Sequence, residues 1–353
     1  MFMGPLVTID IGSYAIKIAE FTGAGRRTLL TAGIRVLPPG VIVSGNIQDP
    51  LTVELALVNL LKQMHVRRVF RRAALSMSGS NVMVKRAKMV RNENVDSGDQ
   101  IFLEAERQFQ MDMNELYFDH FDETQDPEAE QIALLVATKR ETLDQRMSII
   151  TNAGLNIGIV DCEAFALTNL LEYNYGKIEG LVSLINVGAS SANVVFLVDG
   201  HYIYSREIGI GGEHYTKAIA EALSSTIEIA EDHKIQISLH RIELLPEIEK
   251  TILSVHETFI SEFQLSADFF FQSGEAPVGN DQVKGIFLTG GGSQVLGLAD
   301  FIREKLQVPV EIVDPFMNME VPSRVKGIDN LVFKPMFTVC AGLGLRSTKE
   351  VKS

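Results

Sequence analysis

Short apolar runs broken by small residues open the chain. Val7 to Lys17 reads as an apolar strand entering a Gly12-Ser13 turn and an apolar strand leaving it. Thr28 to Val36 predicts further strand, closed by the turn Pro38-Pro39-Gly40. Between Val53 and Met64 the period becomes helical, with Leu55, Leu57, Leu60 and Leu61 available for a buried face. From Ala73 the character changes. Strands at Ala73–Met77, Val82–Met89, Leu116–Phe121 and Ile132–Thr138, a helix at Ile101–Gln110 and a hydrophilic loop at Asp122–Glu130 predict a compact α+β insertion. A helix at Arg140–Ala153, stopped by Gly154, and a strand at Ile157–Val160 close it. Farther on, a strand ends at Gly211-Gly212 and a helix begins, and a second helix carries Ala230-Glu231-Asp232-His233-Lys234. Beyond Pro246, the residues Ile248, Ile252, Val255, Phe259 and Phe263 trace the core stripe of a long helix. Phe337 to Leu345 is rich in small residues, as a helix at a close pivot between lobes requires.

The first strand-turn-strand block returns near mid-chain. Val7-Thr8-Ile9-Asp10-Ile11-Gly12-Ser13 has its counterpart in Leu184-Ile185-Asn186-Val187-Gly188-Ala189-Ser190-Ser191, with Gly two positions after Asp or Asn in each. Two similar halves would thus each bring a hairpin to one polyphosphate, since glycine admits close backbone approach and turn hydroxyls and N–H groups suit anionic oxygens. A third block, Gly285 to Ser293, is a buried-type strand that opens into Gly290-Gly291-Gly292, a run able to lie flat under a purine. Each block alone is also what an ordinary hairpin looks like; the order and spacing of all three carry the inference.

Composition narrows the classes. A chain of 353 residues with 46% hydrophobic content fits two lobes with real cores. Its net charge of -13 and its lack of Trp exclude a nucleic-acid groove. Arg67 to Arg72, and Lys85 to Arg91, are basic islands that read either as solvated faces or as contacts for anionic lipid or an acidic partner. Cys162 and Cys340 sit in apolar settings without CxxC spacing, so they read as reduced core thiols, and the seven His make no metal pattern. Leu181 to Val198 is long and uncharged, but Ser183, Asn186, Gly188, Ser190, Ser191 and Asn193 make it two strands about a polar turn and not a transmembrane segment.

Taken together, the three blocks resemble the two phosphate motifs and the adenosine motif of the actin-like ATPase superfamily. The insertion and the run Gly211-Gly212-Glu213-His214-Tyr215-Thr216 resemble the PilM family of type IV pilus assembly proteins and its cell-division relative FtsA. The fold this implies is α/β, actin-like: a duplicated ribonuclease H-like two-lobed fold with an FtsA-type insertion subdomain 1C. Its expected divisions are 1–72 for 1A, 73–160 for 1C, 161–181 back in 1A, 182–212 for 2A, 213–284 for 2B, 285–335 for 2A and 336–353 returning toward 1A.

By the same resemblance the cofactors are ATP and Mg2+. Asp10 would hold the magnesium ion through water, Gly12, Ser13 and Lys17 match the first phosphate hairpin, and Asn186, Gly188, Ala189, Ser190 and Ser191 match the second. Glu163 falls where relatives place a water-polarising acid, although the Pro that often follows is Ala164 here. Gly212, Glu231 and Lys234 match the ribose and adenine side, and Gly290, Gly291, Gly292 and Ser293 the adenosine turn. Alternatives stand beside these roles: Asp10 as a turn cap, Glu163 as a helix cap, Glu231 with Lys234 as a surface pair. Asn186 departs from the usual Asp. An amide brings no charge and accepts no proton, so turnover is expected to be slow or absent while binding survives.

The family resemblance implies a cytoplasmic ATP-binding scaffold of the type IV pilus platform, peripheral to the inner membrane through its partners. A PilN-like protein would dock its N-terminal segment between 1A and 1C, and other platform proteins and self-association are compatible. An FtsA-like filament or membrane tether is the alternative; the tail Arg346 to Ser353 shows no apolar face for it. An actin-fold small-molecule kinase is a third, for which no further catalytic motif is present.

Overall fold

The computed structural model describes residues 4–22, 28–66, 71–89, 97–123, 131–274, 276, 282–323, 325 and 334–346. Parts of the basic islands (67–70 and 90–91), of the hydrophilic loop (124–130) and of the tail (347–353) lie outside them.

The chain begins with β1 (Leu6–Ile11), β2 (Ala15–Thr22) and β3 (Thr28–Val36), an antiparallel meander. A two-residue pair, β4 (Ile42–Val43) and β5 (Asn46–Ile47), leads to α1 (Pro50–Gln63). Local chemistry starts that helix: the Asp49 side chain accepts from the Thr52 N–H at 3.1 Å, and Pro50 stands in the first turn, where no N–H is needed. Val53, Leu57, Leu60 and Leu61 form its buried face. Leu55, expected among them, is 53% exposed, because its position faces away from the stripe that packs on the sheet.

Next come β6 (Arg72–Met77), β7 (Met83–Met89), α2 (Ser97–Phe109), β8 (Leu116–Asp122), β9 (Gln131–Lys139), α3 (Arg140–Asn152), β10 (Asn156–Cys162) and α4 (Glu163–Tyr175). The first sheet has the order β10-β6-β1-β2-β3, with β6 and β10 parallel to their neighbours. The span 73–160, expected as the insertion, holds strands of two different sheets. Strands β6 and β10 belong to the first-lobe sheet, and α3 buries Leu143, Ile149 and Ile150 in the same core as Val7 and Ile9. What stands apart is the three-stranded sheet β7-β9-β8 covered by α2, whose own core includes Ile101, Ala105, Phe109 and Leu135.

The second lobe repeats the plan. β11 (Leu181–Val187), β12 (Ala192–Val198) and β13 (His201–Ile208) form a meander, followed by α5 (Gly212–Leu223), α6 (Ile227–Ser238), α7 (Pro246–Gln272), β14 (Ile286–Thr289), α8 (Leu298–Leu306) and β15 (Val310–Ile312). The order β13-β12-β11-β14-β15 mirrors that of the first sheet strand for strand. β11 and β12 are covered on both faces: Ile185, Val194 and Phe196 enter one core, Val182, Leu184, Val195 and Leu197 the other. Two-sided burial explains why this stretch of sequence is apolar almost without a break.

Between the sheets lie α4 and the last helix, α9 (Thr338–Leu345). Leu167, Leu171, Val339 and Leu343 join Leu6 and Ala74 of the first sheet to Val182 and Leu197 of the second in one cluster. The small residues of α9 are required there, for a Cβ on Gly342 would overlap the carbonyl oxygen of Ala166. Among the described residues no helix is long and apolar enough to cross a membrane.

Candidate functional site

Both sheets turn a hairpin toward the same cleft. In the first hairpin Asp10 pairs across the strands with Lys17, and the Gly12 N–H donates to the Ala15 carbonyl at 3.2 Å. In the second, Asn186 pairs with Asn193 and the Gly188 N–H donates to the Ser191 carbonyl at 2.9 Å. The two turns are built alike, and their tips meet: Ser13 Oγ lies 3.0 Å from Ser190 Oγ. Among the described residues, the backbone N–H groups of Ser13, Tyr14, Ala189 and Ser190 donate to no other backbone group. Donors left free beside paired hydroxyls form a nest suited to anionic oxygens.

Charge differs between the hairpins. Lys17 Nζ donates to Asp10 Oδ2 at 2.8 Å. Burial pulls the Lys17 ammonium down, but the charge and hydrogen bond of Asp10 outweigh it and hold it above its ordinary value. In the second hairpin two neutral amides occupy the equivalent places, and both serve Glu163. Asn186 Nδ2 donates to Glu163 Oε1 at 2.7 Å and Asn193 Nδ2 to the same oxygen at 3.3 Å. Glu163 is the first residue of α4 and buried, and burial, with Asp10 nearby, pushes its carboxyl up to about 7 against the pull of the two amides and Lys17.

The far wall comes from the second lobe. The N–H groups of Gly212 and Glu213, opening α5, donate to the carbonyls of Gly188 and Ala189 at 2.9 and 2.8 Å, so the helix start is fixed to the second hairpin. Lys234 Nζ reaches Glu231 Oε2 at 2.6 Å, Thr216 Oγ1 at 2.8 Å and the Gly212 carbonyl at 3.1 Å, and Thr216 itself donates to Glu231. Glu231 and Lys234 are thus a pair, as the surface alternative had it, but one that lines the cleft. Gly290 has φ 81°, and a Cβ there would overlap the Asn186 side chain. Gly292 lies so close to the second hairpin that a Cβ would come within 2.5 Å of Val187 Cγ1.

The cleft has a volume of about 590 Å³. Asp10, Gly12, Ser13, Lys17, Glu163, Asn186, Gly188, Ala189, Ser190, Ser191, Gly212, Glu231, Lys234, Gly290, Gly291 and Gly292 all line it. Ser293 does not: its buried hydroxyl donates to the Gly290 carbonyl at 2.7 Å and shapes the turn from behind. Its neighbour Gln294 faces the cleft, as do Tyr14, Asn193, Ile235, Ser238 and Met336. Ile235 and Ser238 were legible as one and two helical steps beyond Glu231 on the same face. Asn193 was legible as the counterpart of Lys17, whereas Met336 arrives from a distant segment with no local signal. Among the described residues no group of three His, Cys, Asp or Glu could hold a metal by itself.

Two lobes of one plan, a hairpin from each facing a shared cleft, helices α4 and α9 between them and a small sheet inserted in the first lobe define an actin-like fold. A family model described as type IV pilus assembly protein PilM matches residues 8–348, and the chain belongs to that family. The cell division protein FtsA of Agrobacterium fabrum is 25% identical over an alignment covering 54% of this chain and 51% of its own length, so the chain spans about half the length of the curated relatives it matches. A solved PilM-PilN type IV pilus biogenesis complex superimposes with a TM-score of 0.83 at 24% identity, covering 97% of this chain and 98% of that one. MreB5 of Spiroplasma citri bound to ADP superimposes with a TM-score of 0.55 at 13% identity, covering 99% and 98%.

Proposed function

We propose that this chain is an ATP-binding scaffold on the cytoplasmic side of the type IV pilus inner-membrane platform, docking the N-terminal segment of a PilN-like membrane protein between 1A and 1C. The observation that carries the nucleotide part is the meeting of two like hairpins with unclaimed N–H donors, backed by a glycine turn that only backbone without Cβ can form. The solved likenesses support it in their own terms, one being a complex with PilN and another holding ADP.

In this scheme the hairpins bind the phosphates, Glu231 and Lys234 orient the ribose, and Gly290 to Gly292 with Met336 enclose the base. Bound magnesium would neutralise phosphate charge, and Asp10 would hold it through water, in keeping with a hard cation that gives up its waters reluctantly. Glu163 is tied to two amides through one oxygen, which keeps its carboxylate turned toward the second hairpin. With Asn186 uncharged, the site favours retention of ATP over turnover. Subdomain 1C is then best drawn as the β7-β9-β8 sheet with α2, leaving β6, α3 and β10 to 1A.

Nucleotide released from the purified, denatured chain tests this directly. Intact ATP near one-to-one, absent from Asp10→Ala, is expected; ADP alone, or sustained release of several phosphates per second, would overturn retention. Asn186→Asp is expected not to restore turnover, because it sets a second carboxylate where Asn186 now donates to Glu163 at 2.7 Å. Titration of a labelled N-terminal segment of the PilN-like protein, with and without ATP, tests docking. Tighter binding with ATP is expected, since a ligand shifts only an equilibrium whose states it binds unequally. Pelleting of the chain alone with liposomes would instead favour a membrane tether.

A further inference from the structure

Arg146, on α3, is 1% exposed and lies behind the first hairpin. Its Nη1 donates to the Ile11 carbonyl at 3.2 Å and its Nη2 to the Gly45 carbonyl at 2.6 Å, while the buried Nε has no hydrogen-bond partner among the described residues. No carboxylate among the described residues forms an ion pair with it; Asp10, the nearest acidic group of the hairpin, is already paired with Lys17. Burial pulls the guanidinium below its ordinary value, and the fields of Asp10 and Glu163 oppose that pull. A buried cation without a bonded counter-charge carries a desolvation cost that two neutral carbonyls offset only in part.

A clamp alone does not need that charge. On the same short hairpin, neutral amides bond the same kind of group: Asn81 Nδ2 donates to the Gly45 carbonyl at 3.1 Å and Gln145 Nε2 to the Ile47 carbonyl at 3.4 Å. What distinguishes Arg146 is its place. Ile11 is the last residue of β1 before a turn whose Ser13 and Tyr14 line the cleft and whose N–H groups there donate to no other backbone group among the described residues. A cation bonded to the outer side of that turn adds positive potential to the nest and fixes its position against the β4–β5 pair.

We propose that Arg146 is a positioning residue for a polyphosphate, a fixed positive charge beneath the first hairpin whose counter-charge is the ligand's phosphate chain. This rests on the nucleotide reading of the cleft. It follows that the contribution of Arg146 grows with the number of phosphates and survives replacement by another cation.

The test is binding of adenosine, AMP, ADP, ATP and inorganic tripolyphosphate to the full chain and to Arg146→Met and Arg146→Lys, with magnesium, by calorimetry or fluorescence competition. Arg146→Met is expected to weaken ATP and tripolyphosphate tenfold or more and adenosine less than twofold; Arg146→Lys is expected to stay within about threefold of the parent for all. A merely structural arginine predicts the opposite pattern, with both variants failing equally for every ligand, because an ammonium cannot bridge the two carbonyls. That pattern, or ATP bound equally by Arg146→Met and the parent, overturns the proposal while the nucleotide reading stands. A parent chain that binds no polyphosphate overturns both. Should the methionine variant not fold, Arg146→Gln makes the same comparison while keeping an amide donor at the site.

Discussion

Glu163 is the residue on which most of the site's chemistry converges, and its environment makes a pH signature. Burial raises its carboxyl from the ordinary 4.5 to about 7. The folded chain therefore binds this proton more tightly than the unfolded chain does, so the contribution to stability is present below about pH 4.5 and is lost as pH rises through about 7. Glu163→Gln is expected to remove that slope and to gain about 3 kcal/mol on the parent between pH 4.5 and pH 8, read from urea unfolding at several pH values without nucleotide or magnesium. Equal slopes in the two proteins would show that the carboxyl is not held this way. The candidate residues of the two hairpins were visible in sequence because the blocks repeat. The partnership of Glu163 with Asn193, and the presence of Arg146, were not, since each depends on contacts across 30 and 135 residues of chain.

Helices and strands were mostly legible, because caps, glycine stops and apolar periods are local. Gly154, with φ 89°, ends α3 as expected, and the stripe of α7 buries Ile248, Ile252, Phe259 and Phe263. Leu55 stays exposed because α1 carries more leucines than its buried stripe can hold. The small-residue helix α9 offers a sharp test of packing between elements. Gly342→Ala is expected to cost about 1–3 kcal/mol or more, since the added Cβ meets backbone of α4 that cannot move aside as a side chain would. Gly209→Ala, where nothing lies within 4 Å, is the control and should be close to neutral. Urea midpoints at unchanged slope would distinguish the two, and equal midpoints would mean α9 and α4 have room to separate.

The two lobes meet through α4, α9 and the hairpin tips, so a ligand that touches both hairpins binds the folded, closed arrangement and not the unfolded chain. ATP at a hundred times its dissociation constant is expected to add about 2.7 kcal/mol and a corresponding rise in Tm. Gly290→Ala should abolish that rise, because the turn cannot carry a Cβ at its positive φ against Asn186. A rise with ATP that persists in Gly290→Ala would place the ligand elsewhere. Another contact spans the cleft: a Cβ on Gly79, in the turn leading to β7, would overlap the carboxyl of Glu207 on β13. The small inserted sheet is thus in touch with the second lobe, which a chain-order view of an insertion in the first lobe does not reveal.

Sequence was sufficient for the hairpins and glycine turn, for the core stripes and for the absence of charge at Asn186, because each depends on residues close together in the chain, and for the duplicated plan, because the blocks repeat. Three-dimensional packing was needed for the rest. Strands β6 and β10 look like any apolar strand until they pair with β1 and with each other, and their pairing is set by which sheet edge the folded lobe leaves open. The same holds for Ser293, turned away behind its own loop, and for Arg146, carried under the hairpin by α3: burial and partner depend on neighbours that the chain brings together only when it folds.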